Sequence, residues 1–354
     1  MAGIRVFRWG AGLSDGAFGR VLVGRGRASG AKRLFVTQRL FEDTVPTAFA
    51  GSSIEVDVRD ADEPLEAAEL ATVLADFDGV VCLLTDRLDE SVLEANRQLE
   101  VISNVAVGVD NIDLPVARRL GITVTNTPDV LTETTADLAV ALMLAVARRL
   151  PEADDFVRSG SWSSWKLSPS LMGVDLYGKT LGLFGMGRIG RAVARRAVHG
   201  FGMRLLYASR SPLPTEEERE LGATRVDFAD LLSAADVLSL HAPLTPETRH
   251  VLGAPQFAAM KPSAIVVNTA RGPLVDESAL ADALEDGQIW GAGLDVFEDE
   301  PDVHPRLLAV RRRLVLAPHV GSATLDTRRR MADIAARDAR AVLEGRAAAH
   351  PVSI

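Results

Sequence analysis

The chain has 354 residues, of which 47% are apolar and 25% charged, the balance of a globular protein of about two domains. It carries 39 Lys and Arg against 48 Asp and Glu, and the net charge of −9 argues against nucleic acid or an anionic membrane as a partner, because both need a basic surface. The single cysteine excludes an intramolecular disulfide and, with no apolar segment typical of a signal peptide at the start, predicts a cytoplasmic protein.

Residues 1–30 differ from the rest of the chain. They are rich in Gly and Arg and contain only one acidic residue, Asp15. This composition predicts a disordered or atypical N-terminal extension. A transit peptide is the less favoured interpretation, because such peptides are rich in Ser and this segment is not. A start assigned too far upstream is a further interpretation.

From residue 31 short apolar runs alternate with helical patterns. The first series of predicted strands is Leu34–Val36, Ile54–Val56, Val80–Leu84, Val101–Val105 and Ile122–Thr125. Helical periodicity lies between several of them, for example at Leu65–Leu74 and Ser91–Leu99. Strands that alternate with helices indicate a parallel sheet with right-handed crossovers.

A long helix is predicted over 132–149. It is apolar on almost every side between Ala136 and Ala147, which indicates burial in a core or in a subunit interface. A polar segment that contains two Trp residues follows at Ser159–Lys166, and the last predicted helix is Leu325–Leu343. Between them a second β/α series has the predicted strands Thr180–Phe184, Arg204–Tyr207, Val237–Leu240, Ala264–Asn268 and Leu314–Leu316.

The sharpest local motif is Gly185-Met-Gly187-Arg-Ile-Gly190, which follows a predicted strand and opens a predicted helix, Arg188–Val198. In that context the first Gly permits a tight turn, the second lets backbone amides approach a pyrophosphate, and the third allows close helix–strand packing. The helix N-terminus adds partial positive charge. The motif predicts a dinucleotide site, and the alternative is an ordinary structural turn.

The choice between the two nicotinamide cofactors depends on the end of the next strand. An enzyme specific for NAD places an acid there, on the ribose hydroxyls. Here the strand is followed by Ser209, Arg210 and Ser211, and no acid occurs before Glu216. A hydroxyl and a guanidinium suit a 2′-phosphate. We therefore expect NADP(H) to be preferred, with NAD(H) as a second cofactor that the site accepts.

Candidate catalytic residues follow strands further along the chain. Reduction of a 2-keto acid needs a cation for the carboxylate, a proton donor for the carbonyl oxygen and a group that keeps this donor protonated. Arg271 supplies a guanidinium fork and His319 a proton near neutral pH. A carboxylate beside the imidazole would stabilise its charged form. The other five histidines are weaker candidates, although His241 ends a strand where the backbone would meet the cofactor.

Five ordered segments resemble the D-isomer-specific 2-hydroxyacid dehydrogenase family, and the match covers residues 31 to about 345. They are Val107–Asp113, Gly185–Gly190, Asn268–Gly272, Leu294–Pro301 and Pro318–Ser322. Within the family the chain is most similar to the glyoxylate/hydroxypyruvate reductase branch. That narrower resemblance is carried by Ser161–Lys166, by Asp175–Thr180 and by the turn at Ser209–Ser211.

The resemblance implies a role for each matching residue. Arg271 would bind substrate, His319 would be the acid/base, and its partner would be the acid just before Pro301, hence Glu300. Asp295 would hold the nicotinamide amide, and Leu84 and the backbone amides of Val107 and Gly108 would contact the substrate. The other expected cofactor contacts are Thr135, Gly185, Gly187, Arg188, Ile189, Gly190, Ser209, Arg210, Ser211, His241, Ala242, Pro243, Thr269, Ala270 and Gly321. No metal site is expected.

The resemblance also implies the fold class: α/β, with two Rossmann-like doubly wound parallel-sheet domains. The coenzyme domain, 128–316, would be inserted into a split flavodoxin-like substrate domain made of 31–127 and 317–354. A homodimer is expected. Two other functions stay open: a dehydrogenase for another D-2-hydroxy acid such as lactate or phosphoglycerate, and a dinucleotide-sensing binding protein of the same fold.

Overall fold

A computed structural model describes residues 4–8, 30–167 and 170–353 of the chain. They fall into two compact units. The first unit contains the residues up to Leu131 together with those from Thr324 onward, and the second is Thr132–Ala323. Each unit has its own fully parallel sheet, and the second unit is inserted into the sequence of the first. The predicted fold class, two parallel-sheet α/β domains with one inserted into the other, is confirmed.

The first unit is built on a six-stranded sheet with the order β1-β3-β2-β4-β5-β6. Its strands are β1 Ile4–Arg8, β2 Arg33–Val36, β3 Glu55–Asp60, β4 Gly79–Cys82, β5 Val101–Asn104 and β6 Thr123–Thr125. Its helices are α1 Thr44–Ala48, α2 Ala67–Leu74, α3 Glu90–Ala95, α4 Leu114–Leu120 and, after the second unit, α13 Leu325–Leu343. Helices α2, α3 and α4 cover one face of the sheet, whereas α1 and α13 cover the other.

Strand β1 lies within residues 1–30, the segment expected to form a disordered or atypical extension. Ile4–Arg8 pairs in parallel with β3, from Ile4 beside Val56 to Arg8 beside Asp60. The segment alternates β-branched and other residues, and it occupies the edge that β3 would otherwise leave unpaired. Residues 9–29 of the expected extension lie outside the described residues.

The second unit is built on a seven-stranded sheet with the order β13-β12-β11-β10-β7-β8-β9. Its strands are β7 Thr180–Phe184, β8 Arg204–Ala208, β9 Ala223–Arg225, β10 Val237–Leu240, β11 Ile265–Asn268, β12 Gly291–Leu294 and β13 Leu314–Leu316. Its α-helices are α5 Thr132–Ala147, α6 Leu150–Arg158, α7 Arg188–Phe201, α8 Thr215–Leu221, α9 Phe228–Ala234, α10 Ala254–Ala259, α11 Glu277–Glu285 and α12 Pro305–Ala309. The chain reverses its winding direction between β7 and β10, which are adjacent, and open α/β sheets bind ligands at such a switch point.

Two strands of this sheet were not predicted. Strand β12 has the sequence Gly-Ala-Gly-Leu, which lacks the β-branched residues that signal a strand. Its glycines are required by packing, because a Cβ on Gly293 would lie 2.9 Å from the Cβ of Leu142 in α5. Strand β9 has three residues at the edge of the sheet and is too short to show a period.

Helix α5 uses its small residues to pack closely on the sheet. Ala136, Ala139, Met143, Val146 and Ala147 are buried in the core formed with β7, β10 and α7, whereas Asp137 and Ala141 are exposed. The helix therefore has one buried face rather than apolar contacts all round. No helix within the described part of the chain has the length and the apolar character that crossing a membrane requires.

The only cysteine of the sequence, Cys82, is the last residue of β4 and is completely buried. Its thiol lies 3.5 Å from the side-chain oxygen of Asn104 on the neighbouring strand. Burial, with a smaller contribution from the nearby Asp86 carboxylate, raises the pKa of this thiol well above its usual value. The group is therefore a small core side chain and not a nucleophile.

Candidate active site

The glycine-rich loop lies at the switch point of the second sheet, directly after β7. Gly185 has a φ of 96°, and its amide donates to the carbonyl of Ala208 at the end of the neighbouring β8. A Cβ on Gly185 would lie 2.6 Å from the amide nitrogen of Ala242, and one on Gly190 would lie 2.5 Å from the carbonyl oxygen of Gly185. These two positions therefore admit only glycine.

Gly187 is different, because a Cβ there would meet nothing within 4 Å. It is the N-cap of α7, and no side chain caps the amides of the first turn, which begins at Arg188 and Ile189. A glycine that faces open space at an uncapped helix N-terminus is suited to a phosphate that must approach the backbone. A second feature fits the same ligand: the Thr269 hydroxyl, after β11, is buried without a hydrogen-bond partner among the described residues. The residues present fit a nicotinamide dinucleotide.

His241, the first residue after β10, supports the glycine-rich loop. Its amide donates to the carbonyl of Phe184 at 2.7 Å, and its Nε2 lies 2.8 Å from the Ser239 hydroxyl. Burial of the ring lowers the pKa of His241 to about 4. The imidazole is therefore neutral near pH 7. Ala242 and Pro243, also expected to contact the cofactor, follow it directly.

The turn after β8 carries the residues expected to select the cofactor. The Ser209 hydroxyl donates to the carbonyl of Ser211 at 2.6 Å, and the Arg225 guanidinium donates to the carbonyls of Ser209 and Arg210 at 2.8 and 3.2 Å. The side chain of Arg210 is exposed. The turn thus combines two positive charges with a hydroxyl.

The acids that follow this turn in the sequence are engaged elsewhere. Glu217 accepts from Arg191 at 3.0 Å, and Glu218 accepts from the hydroxyl of Tyr207. Burial, followed by the hydrogen bond to Glu218, raises the pKa of Tyr207. The same hydroxyl accepts from the amide of Leu213 at 2.9 Å and so fixes the far end of the turn.

Arg271 lies in a turn that follows β11 and is organised by Asn268. The amide of Ala270 donates to the Asn268 side-chain oxygen at 3.1 Å, and the Asn268 side-chain nitrogen donates to the carbonyl of Arg271 at 2.8 Å. The next residue, Gly272, packs against another loop so closely that a Cβ would lie 1.8 Å from the carbonyl oxygen of Phe297. The turn of Arg271 and the loop that begins at Phe297 are therefore fixed against each other.

His319 and Glu300 form a close pair. The Nδ1 atom of His319 lies 2.6 Å from Oε2 of Glu300, and the two side chains are 29% and 26% exposed. The second oxygen of Glu300 accepts from the amide of Phe297 at 2.9 Å. The pair thus holds one ring nitrogen of His319 against a carboxylate while part of the ring remains accessible, the arrangement of an imidazole that exchanges a proton with a ligand.

Glu298, another acid of the same segment, faces a different histidine. One of its oxygens lies 2.7 Å from Nε2 of His250, and the other accepts from the amide of Glu277 at 3.0 Å. Nothing in the sequence signalled this second pair, because 48 positions separate His250 from Glu298. The acid expected from the resemblance, Glu300, is the one placed against His319.

Asp295 holds the turn that contains His319. Its two oxygens accept from the amides of Val320 and Gly321 at 2.7 and 2.8 Å. The Thr135 hydroxyl donates to the carbonyl of Gly321 at 3.2 Å and fixes the same turn from α5. Burial raises the pKa of Asp295, although the amide of Val320 and the charge of His319 oppose this. The family resemblance implies that Asp295 holds the nicotinamide amide. No feature of the sequence indicated that its carboxylate also fixes the turn of His319.

In the first unit the expected substrate-binding residues follow β4 and β5. Leu84 is 40% exposed in a loop held by Asp86, which accepts from the amide of Leu83 at 2.8 Å. The carbonyls of Val107 and Gly108 accept from side chains of Asn126 and Asn104 at 2.7 and 2.8 Å. Their amides donate no hydrogen bond to any residue the structure describes. Two adjacent amides whose N–H groups have no acceptor in the protein can bind a carboxylate.

Comparison with known proteins identifies the family. The description "D-isomer specific 2-hydroxyacid dehydrogenase, NAD binding domain" matches residues 140–321. A glyoxylate reductase of Thermococcus litoralis is 47% identical over 88% of this chain and 94% of its own length. A glyoxylate reductase of Korarchaeum cryptofilum is also 47% identical, over 88% of this chain and 93% of its own.

The chain belongs to the D-isomer-specific 2-hydroxyacid dehydrogenase family. It is an oxidoreductase that binds a nicotinamide dinucleotide, and the relatives support reduction of a 2-keto acid. This agrees with the sequence-based assignment, in which the glycine-rich loop and the Arg271, Glu300 and His319 segments carried the resemblance.

Solved structures show the same fold. A protein from Thermus thermophilus superposes with a TM-score of 0.83 at 45% identity and covers 91% of this chain and all of its own. The NADPH-dependent glyoxylate/hydroxypyruvate reductase of Sinorhizobium meliloti, solved with NADP and malonate, gives a TM-score of 0.79 at 36% identity, with 91% of this chain and 97% of its own covered.

The neutral His241 predicts how stability responds to pH. The folded pKa of about 4 lies below the ordinary value of 6.5, so the unfolded chain takes up the proton first. The neutral His241 therefore lowers the free energy of unfolding as the pH falls from 6.5 towards 4, and the loss is about 2 kcal/mol at pH 5. We expect the free energy of unfolding, measured in urea at pH 7 and pH 5, to fall less in His241→Gln than in the wild type. The exposed His199→Gln should behave like wild type, and an equal loss in all three proteins would contradict this account.

Proposed function

We propose that the chain reduces a small 2-keto acid, glyoxylate or hydroxypyruvate, to the D-2-hydroxy acid, with NADPH as the preferred cofactor. The observation that carries this proposal is the His319–Glu300 pair, with Nδ1 and Oε2 2.6 Å apart. The loop of this pair packs against the turn that carries Arg271. A proton donor and a guanidinium are thus held on adjoining loops.

The proton comes from His319. Glu300 binds Nδ1, so the proton to be transferred is on Nε2, and it passes to the carbonyl oxygen as that oxygen gains negative charge. The carboxylate of Glu300 stabilises the imidazolium before the transfer, and solvent restores the proton after the alcohol leaves. A bound nicotinamide supplies the hydride that reaches the carbonyl carbon.

Arg271 binds the substrate carboxylate. Its guanidinium presents paired N–H donors that match the two oxygens of a carboxylate. The neighbouring Asn268 fixes the backbone of the turn. The Arg271 side chain therefore loses less conformational freedom when it binds the substrate carboxylate. Thr269 and Ala270 of the same turn are the expected cofactor contacts, and the buried Thr269 hydroxyl has no hydrogen-bond partner among the described residues.

The choice of glyoxylate or hydroxypyruvate rests on the relatives. The Thermococcus litoralis and Sinorhizobium meliloti proteins carry these substrates in their names. A D-lactate dehydrogenase of Escherichia coli shares the fold at 29% identity and a TM-score of 0.74. The substrate is identified by comparing kcat/KM for glyoxylate, hydroxypyruvate, pyruvate and 3-phosphohydroxypyruvate. If none of the four is turned over, a dinucleotide-sensing protein becomes the favoured function.

Two substitutions test the proton transfer. Loss of a general acid costs about 10²–10⁴-fold in rate, so His319→Ala should lower kcat for glyoxylate by that factor and leave NADPH binding nearly intact. Glu300→Gln keeps a hydrogen bond but removes the charge, so the imidazolium loses its stabilising partner. The basic limb of the reductive pH–rate profile should therefore move to lower pH. If the basic limb of the Glu300→Gln profile is unmoved or lies at higher pH, another acid stabilises the imidazolium of His319. The control is His199→Gln, which should leave both kcat and the pH–rate profile unchanged.

Cofactor preference is tested at Arg210. A charged hydrogen bond to a 2′-phosphate is worth about 1.5–3 kcal/mol, so Arg210→Ala should weaken NADPH binding about 10- to 150-fold and leave NADH binding unchanged. Arg204→Ala removes an exposed Arg at the opposite end of β8 and should change neither dissociation constant. A wild-type kcat/KM that is higher with NADH than with NADPH would refute the preference.

We also propose a homodimer. Most of the large apolar side chains that are exposed in the described residues belong to the segment 150–177: Leu150, Val157, Trp162, Trp165, Leu167, Met172 and Tyr177. Such a concentration marks an interaction surface. Sedimentation should give a dimer for the wild type and for Leu308→Ser, whose exposed leucine lies elsewhere, and a monomer for the double variant Trp162→Ser/Trp165→Ser. A monomeric wild type would contradict the proposal.

A further inference from the structure

A buried carboxylate that has no role in the chemistry above lies beneath the loop of Glu300. Glu277 is the first residue of α11 and is only 4% exposed. Its Oε1 accepts from the amide of Glu298 at 2.8 Å, and its Oε2 accepts from the amide of His304 at 3.2 Å. These two amides lie on either side of Glu300, in the segment 297–304, which we call the acid loop. One side chain therefore fixes the acid loop at both ends.

The contact is reciprocal. The amide of Glu277 donates to Oε1 of Glu298 at 3.0 Å. The other oxygen of Glu298 lies 2.7 Å from Nε2 of His250 and 3.7 Å from the guanidinium of Arg249. His250 in turn donates its amide to the carbonyl of Pro273 at 2.7 Å, in the turn that follows Arg271. Three chain segments are thus tied together around Glu298.

The backbone leaves the acid loop little freedom to move as a rigid body. Gly272 lies so close to Phe297 that even a methyl group would overlap with its carbonyl. Because Gly272 is adjacent to Arg271, displacement of the acid loop towards this side would displace the turn of Arg271 as well. Displacement away from it would break the hydrogen bonds to Glu277. The position of Glu300 therefore depends on the two oxygens of Glu277.

Only a carboxylate satisfies this geometry at position 277. Both oxygens accept an N–H, whereas glutamine has one acceptor and would present an N–H₂ group to the second amide. The charge is costly at this place: burial raises the pKa of Glu277, the amides of Glu298 and His304 lower it, and the charge of Glu298 raises it further. An apolar residue at this position would leave the amides of Glu298 and His304 without their acceptors.

We propose that Glu277 is a positioning residue for proton transfer, which holds the acid loop so that the carboxylate of Glu300 stays against Nδ1 of His319. This rests on the proposed function, because it assigns Glu277 an effect only through His319 and Glu300. Glu277 itself touches neither substrate nor cofactor.

The test compares Glu277→Gln with a substitution one residue earlier. Asp276 caps α11 by accepting from the amide of Ala279 at 2.9 Å, and among the described residues its side chain makes no hydrogen bond to the acid loop. Asp276→Ala should therefore destabilise the same helix and leave Glu300 in place. We expect Glu277→Gln to lower kcat for glyoxylate about 10- to 100-fold, the effect of a small misplacement of a reacting group. The KM and the NADPH dissociation constant should change by less than threefold.

The pH–rate profile separates positioning from simple loss of stability. In Glu277→Gln the basic limb should move to lower pH, because Glu300 no longer stabilises the imidazolium of His319. In Asp276→Ala the melting temperature should fall while kcat and the pH profile stay as in wild type. The groups that face Glu277 and Glu298, namely His304, His250 and Arg249, are unchanged in both variants.

A second variant keeps the proposal testable if Glu277→Gln does not fold. His250 has a φ of 50°, a conformation that asparagine tolerates, so His250→Asn should fold and remove only the ring that pairs with Glu298. We expect a shift of the pH profile in the same direction and of smaller size. An unshifted profile in the variants that fold, or an identical loss of kcat in Asp276→Ala, would overturn the proposal. A wild-type kcat in His319→Ala would instead refute the proposed function, whatever the Glu277 variants do.

Discussion

The turn that carries His319 depends on a single buried carboxylate. His319 has a φ of 51°, a conformation that costs of order 1–3 kcal/mol for a residue other than glycine. Asp295 offsets this strain: its carbonyl accepts from the amide of His319 at 2.8 Å, and its side chain accepts from the next two amides. Asp295 therefore fixes the backbone from which the imidazole of His319 extends to Glu300.

Buried acids perform this task repeatedly at the ends of the strands. Asp86 accepts from the amide of Leu83 after β4, and Asp295, which follows β12, accepts from the amides of Val320 and Gly321 after β13. At the carboxyl edge of a parallel sheet the chain leaves the ladder, and its amides lose their regular acceptors. A carboxylate supplies two acceptors at once. The loops that present candidate binding residues are therefore fixed by buried carboxylates.

Much of this organisation could be predicted from the sequence. Strands β7, β10 and β13 and helix α13 were located residue for residue, because their apolar runs and periods are unambiguous. The glycine-rich loop could be recognised because its three glycines lie within six consecutive residues directly after a strand, although the contact that excludes a side chain at Gly185 is with the distant Ala242. Strand β12 was missed because its two glycines are required by close contacts with distant residues, Gly291 with Arg313 and Gly293 with Leu142, and such contacts leave no local period in the sequence.

The support beneath the site could not be predicted. The assignment of Glu300 as the partner of His319 followed from a resemblance, not from spacing. Only the folded chain reveals that Glu298 is committed to His250 and to the amide of Glu277. Those contacts join segments 21 and 48 residues apart, and none of them changes the hydrophobic pattern. Polar groups that bind distant backbone amides leave no signature in a single sequence. For this reason neither the burial of Glu277 nor its contacts with the acid loop could be predicted.

The buried Cys82 has a practical consequence for spectroscopy. Its thiol is inaccessible and its pKa is raised, so maleimides and methanethiosulfonates will not modify it in the folded protein. Because the sequence contains no other cysteine, the natural chain is a ready background for site-directed labelling. One cysteine introduced on the exposed surface of each unit would accept a fluorophore or spin-label pair without any prior substitution. The distance between the two units could then be followed in solution as cofactor and substrate are added.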